Sequence, residues 1–92
     1  MRKSIIFAAQ NRKLQDLDPM FELVAQWVVE QQEASTSKLQ RVFMIGYNRA
    51  GEIADQLEMV GIVGPNKGPK GRDILITDPD QLGKLLMKLQ GY

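Results

Sequence analysis

A chain of 92 residues, 43% hydrophobic and 25% charged, makes one small domain with a thin core and no room for a second domain or a deep multi-substrate cleft. It has no cysteine and no histidine, which excludes disulfides, thiolate metal sites, imidazole bases and Ser-His-Asp triads together. The net charge of +1 gives no global attraction to nucleic acid, so any such attraction must be local.

The charges are patterned along the chain. Arg2, Lys3, Arg12 and Lys13 open it without an acid. Asp16, Asp18, Glu22, Glu30 and Glu33 follow, and then Lys38, Arg41 and Arg49 are the only charges from 38 to 49. Glu52, Asp55 and Glu58 come next, and Lys67, Lys70 and Arg72 lie in a Gly/Pro-rich stretch with no acid. Two local basic clusters thus flank a helix-like segment. The longest apolar run, Ile5 to Ala9, falls far short of the roughly 20 residues of a membrane span and has no signal-peptide cleavage pattern, so the chain reads as cytoplasmic.

The N-terminal stretch from Ser4 to Ala9 fits either a strand or a helix. Asp18-Pro19 marks a helix start, an Asx cap with proline in the first helical position, and Met20, Val24, Trp27 and Val28 form an apolar stripe reaching to about Gln32. Ser35-Thr36-Ser37 caps a brief second helix with Leu39, Val42 and Phe43 on its apolar face. Gly46 supplies a sharp turn into a third helix, from about Tyr47 to Val60. Ala50, Ile53, Ala54, Leu57 and Val60 share one side of that helix, and Asn48, Arg49, Glu52, Asp55, Gln56 and Met59 share the other. Gly61 ends it as a C′ glycine. Ile62-Val63 and Asp73 to Thr77 read as a β-hairpin around a loop from Gly64 to Gly71. Asp78-Pro79, with Gln81 completing a capping-box pattern, starts a last helix over 79–90 striped with Leu82, Leu85, Leu86 and Leu89.

This order predicts an α+β, mainly α fold: a winged helix-turn-helix, with a three-helix core, a β-hairpin wing and an extra C-terminal helix. The limits that follow are an N-terminal extension over 1–17, flexible or adding a strand or helix, a winged-helix domain over 18–77 and an amphipathic helix over 78–92. Such a fold suits double-stranded DNA. A helix enters the major groove when one face packs on a body and the other projects polar groups. Amides, an arginine and carboxylates project here, and the loop cations suit a phosphate backbone.

The run from Ala34 to Ala50, with its ungapped core Ile45-Gly46-Tyr47-Asn48-Arg49-Ala50, then Ile53, Asp55 to Glu58 and Gly61 to Pro65, closely resembles the gamma domain of FtsK/SpoIIIE DNA translocases. The likeness extends from about Asp18 to Leu75 and includes Asp18-Pro19 and Gly71-Arg72. The resemblance implies a winged helix from the end of a hexameric DNA pump. There it reads short G-rich polar sequences that orient translocation in chromosome segregation and cell division, and in some members it contacts a Xer recombinase. It implies base reading by Asn48, by Arg49 beside it and by the acidic Asp55, and it places Arg41 on the first arginine of a QRR string. Glu52 stands where the family carries an arginine, so an arginine-to-guanine contact of about 1–3 kcal/mol is lost there. Val42 replaces the second arginine of QRR, and Ala50-Gly51 replaces Ala-Ala at a helix cost of about 1 kcal/mol. The residues expected at DNA are therefore Asn48, Arg49, Glu52 and Asp55 on bases, and Lys38, Arg41, Tyr47, Lys67, Lys70 and Arg72 on phosphates.

No phosphate-binding GxxxxGK[ST] loop occurs, so an enzymatic motor is not expected, and neither a metal nor a cofactor is. The chain reads as a free-standing or an excised copy of the domain. Two other functions remain open. One is a protein-interaction module docking on a Xer-type recombinase or a translocase, suggested by Glu52 and the other acids of helix three. The other is a small dimeric transcriptional regulator self-associating through 79–90.

Overall fold

The computed structural model describes residues 16–68 and 71–89. The N-terminal extension up to residue 15 and Lys70 lie outside the described residues. Four helices follow one another in the described part: α1 (Phe21–Gln31), α2 (Thr36–Phe43), α3 (Tyr47–Met59) and α4 (Pro79–Leu89). The domain is mainly helical and compact, with a Cα radius of gyration of 12.4 Å.

Regular α1 geometry starts at Phe21, after the proline. Asp18 still organises the entry, its Oδ1 accepting from the Met20 amide at 2.8 Å and its carbonyl from the Phe21 amide at 2.8 Å. The buried side of α1 is Phe21, Val24, Ala25, Val28 and Val29, a stripe wider than the expected one and turned by about one position. The reason is that α1 is covered twice, by α3 and by α4. Met20 and Trp27 sit at the margin of this stripe, and the Trp27 ring meets Phe43 edge-on at 5.9 Å, closing α1 over the end of α2.

In α2 the Ser35 hydroxyl caps the helix by accepting from the Lys38 amide at 3.2 Å. Only Leu39 is fully buried, Phe43 is half-buried and Val42 is exposed. The turn into α3 differs from expectation in one respect. The left-handed residue is Met44, at φ 55°, while Gly46 is an extended N-cap at φ −73°. The turn therefore uses glycine for a cap and strains a methionine instead.

Ala50, Ile53, Ala54 and Leu57 of α3 are buried against α1 and α2, as the periodicity predicts. Gly61, at φ 91°, ends α3 in a left-handed conformation that only glycine adopts freely. The Gly61 amide donates to the Glu58 carbonyl at 3.1 Å and the Ile62 amide to the Leu57 carbonyl at 2.9 Å, a Schellman closure.

The expected β-hairpin is present as one antiparallel bridge, Val63 with Ile74, and the described residues contain no strand. The Gly64 amide donates to the Asp73 carbonyl at 2.9 Å and the Leu75 amide to the Ile62 carbonyl at 2.8 Å. The regular ladder stops there because Pro65 has no amide to donate and Gly71, at φ 76°, turns the chain just before its return; beyond it a single backbone bond, the Lys67 amide to the Gly71 carbonyl at 2.7 Å, closes the loop.

Asp78 caps α4 by accepting from the Asp80 amide at 3.0 Å. Leu82, Leu86 and Leu89 are buried and Leu85 is half-buried, with α4 lying on α1. The leucine stripe is thus covered within the chain. Leu17, assigned by the sequence to the extension, is also part of the core at 6% exposure.

Candidate nucleic-acid interface

No polar or charged residue in the described part is buried as a whole, so the functional groups are on the surface. The outward side of α3 is open. Tyr47, Asn48, Arg49, Glu52 and Asp55 are all exposed, and α4 lies against α1 instead of over them. Gln56, expected on that same side, is half-buried and turned back, its Oε1 accepting from the Asp18 amide at 3.0 Å. Asn48 makes no side-chain hydrogen bond among the described residues, so its amide is available to an incoming partner.

Arg49 is already engaged. Its Nε donates to Asp18 Oδ2 at 2.9 Å and its Nη2 to Asp18 Oδ1 at 2.8 Å, a bidentate pair joining the start of α3 to the entry of α1. The arginine side chain is 43% exposed and the aspartate 13%. Hydrogen bonding to Arg49 holds the Asp18 carboxyl below its ordinary range; partial burial opposes this and the Met20 amide assists it. The same pair raises Arg49 above its usual value.

Beside the outward side of α3 stands the N-terminus of α2. A groove of about 300 Å³ runs between it and the loop after α3, lined among others by Ser35, Thr36, Ser37, Tyr47, Asn66 and Arg72. Free amides at a helix start favour anions, and hydroxyls and a phenol add donors. Ser35 to Ser37 read as a cap in the sequence, and their place in a groove was legible only once α2 and the loop were packed together. Lys38 is half-buried and Arg41 exposed on the same helix.

The loop cations are less available than their sequence suggests. Lys67 Nζ donates to Asp73 Oδ2 at 2.6 Å. The Arg72 side chain is 8% exposed, packed against α3, where Nη1 donates to Glu58 Oε1 at 2.9 Å and Nη2 to Asp55 Oδ1 at 3.3 Å. Asp55 is therefore outward and paired at once. No cluster of three or more metal-ligating side chains occurs among the described residues, nor any helix long and apolar enough to cross a membrane.

These features define a class: a small helical domain that presents the polar side of a capped, exposed helix beside a polar groove. The sequence places it more narrowly. Residues 15–77 match the FtsK gamma domain model, and the chain belongs to that family. It is 44% identical over 75 residues to the DNA translocase SftA of Bacillus subtilis, covering 82% of this chain and 8% of that protein. It is 47% identical over 72 residues to the DNA translocase FtsK of Chlorobaculum tepidum, covering 78% of this chain and 9% of the relative. For the DNA translocase FtsK of Staphylococcus aureus Mu50 the figures are 52% over 59 residues, 64% and 8%. The chain thus spans less than a tenth of the length of these relatives. The 92 residues hold a gamma domain and no motor domain.

Proposed function

We propose that the chain is a double-stranded DNA-reading module of winged-helix type, serving a DNA translocase by recognising sequences that orient its movement. The observation that carries this reading is the exposed, unengaged amide of Asn48 at the start of α3, the edge of a helix whose other side is fully packed. An asparagine amide pairs bidentately with adenine, and the first turns of a recognition helix are where base edges are met. Arg49 joins in base reading by giving up Asp18, and Asp55 by accepting through the carboxylate oxygen that Arg72 leaves free. Glu52 is exposed and acidic, so it accepts from cytosine N4 or repels phosphate, which changes the preferred sequence relative to an arginine there. Lys38, Arg41, Tyr47 and Lys67 supply the phosphate contacts.

Selection of bound duplexes from a random pool tests this. A G-rich consensus supports an orienting-sequence reader, whereas a pool without enrichment at low salt overturns it. A second reading has a specific observation behind it. Met44, in the turn before α3, is 89% exposed and Tyr47, the first residue of α3, 67%, a pair of large side chains that suits docking on a protein such as a Xer-type recombinase. Resonance shifts at Met44 and Tyr47 with a recombinase, and none with DNA, favour that alternative.

A further inference from the structure

We propose that Arg72 is a positioning residue that locks the loop after α3 to the helix, so that base contacts from α3 and phosphate contacts from the loop are made in one fixed register; the proposal rests on the DNA-reading function above. Its guanidinium spans two elements. Toward α3 it holds Glu58 at 2.9 Å and Asp55 at 3.3 Å, and toward the loop its Nη1 donates to the Gly64 carbonyl at 3.3 Å. Asp55 and Glu58 are three residues apart on one helix face, a spacing that one planar guanidinium spans with two separate nitrogens, a rigid fork that a point-like lysine ammonium does not reproduce. The backbone on either side is also fixed. Gly71 donates to the Gly68 carbonyl at 2.9 Å, and Asp73 accepts from the Gly64 amide at 2.9 Å.

Two facts argue against a direct phosphate contact. The side chain is 8% exposed, and its one positive charge faces two carboxylates, so the cluster as a whole is negative. A duplex that reaches this loop meets Lys67 first, which is 49% exposed. Register matters for sequence discrimination because a specific complex needs both contact sets at once, while random DNA binds through either.

The test compares Arg72→Gln and Arg72→Lys in the full chain against a duplex carrying the selected sequence and a scrambled duplex, with salt varied and amide hydrogen exchange measured without DNA. Both variants are expected to lose about tenfold on the selected duplex and about twofold or less on the scrambled one, with the salt slope unchanged. The Gly64 and Leu75 amides lose exchange protection in both, while Val28 in α1 keeps it. If Arg72→Gln lowers the slope by about 0.9 on both duplexes and Arg72→Lys restores it, Arg72 is a phosphate ligand and the proposal fails. If the parent chain binds neither duplex, the DNA-reading function fails separately. Exchange then decides the lock alone: protection unchanged at Leu75 overturns it, and protection lost at Gly64 and Leu75 supports it. Should Arg72→Gln not fold, Glu58→Gln removes one arm with an expected loss of about two- to threefold on the selected duplex, and no loss there overturns the lock.

Discussion

At the first turn of α3, Tyr47 and Asn48 stand exposed with Arg41 of α2, and none of the three is in an ion pair or side-chain hydrogen bond among the described residues. Two turns further on, Asp55 and Glu58 have drawn Arg72 out of the loop, and Lys67 leans on Asp73. Along the chain the two regions look alike, each a run of cations and polar groups beside glycine. Folded, one presents most of its chemistry, with Arg49 alone held by Asp18, and the other spends most of it on internal partners. A count of cations therefore overstates the positive potential of the loop, and the start of α3 together with α2 is the richer surface for a polyanion.

The comparison can be broken most severely at the framework both regions share. Ile53→Ala empties a fully buried position between them and is expected to cost about 2–5 kcal/mol in urea unfolding, with both regions lost in one transition. Separate transitions would mean that the loop and the helix are not one cooperative unit. Next in size, Asn48→Ala is expected to lose about 1–3 kcal/mol on the selected duplex and little on a scrambled one. Equal loss on both would remove base reading from this position. Sharper still is a paired measurement of salt slopes. Arg41→Ala lowers the slope by about 0.9 if its exposed guanidinium meets a phosphate, while Lys67→Ala lowers it less, since Asp73 already neutralises that ammonium. Equal reductions would show that the Lys67 pair opens at no cost when DNA arrives.

The smallest effect concerns the link between α3 and α1. The folded Asp18 carboxyl titrates below its unfolded value, so its contribution to stability is present above the ordinary carboxylate range and is lost as pH falls through that range toward the lower folded value. Asp18→Asn is expected to destabilise the chain slightly at pH 7, the pair being partly exposed, and the gap in urea midpoint from the parent should close on acidification. A gap that does not depend on pH would assign the Asp18 effect to its accepted Met20 amide instead of to its charge.

Much of the fold was legible because it is written in local periodicity. The apolar spacing of α3, the Gly61 stop, the Ser35 and Asp78 caps and the leucine stripe of α4 all involve residues within a turn or two of each other. The widths and partners of those faces were not legible. Phe21, Ala25 and Val29 join the buried face because α1 is covered by both α3 and α4, and Leu17 joins the core from outside the expected domain limits. The hairpin contracted to one bridge because its loop glycines and Pro65 cannot extend a ladder, a detail that hydrophobic alternation does not carry.

For the candidate site the division is the same. The sequence by itself determined which residue types stand on the outer side of α3, because a helix with Ala50, Ile53, Ala54 and Leu57 inward must carry Asn48, Arg49, Glu52 and Asp55 outward. Only the tertiary structure decided which of those charges remain available. Arg49 finds Asp18 across a separation of 31 residues, and Arg72 finds Asp55 across 17, pairings set by the docking of whole elements and invisible to any local pattern. The cause is electrostatic: at a few ångströms a carboxylate captures a guanidinium, and which carboxylate lies that close is a property of the packed chain.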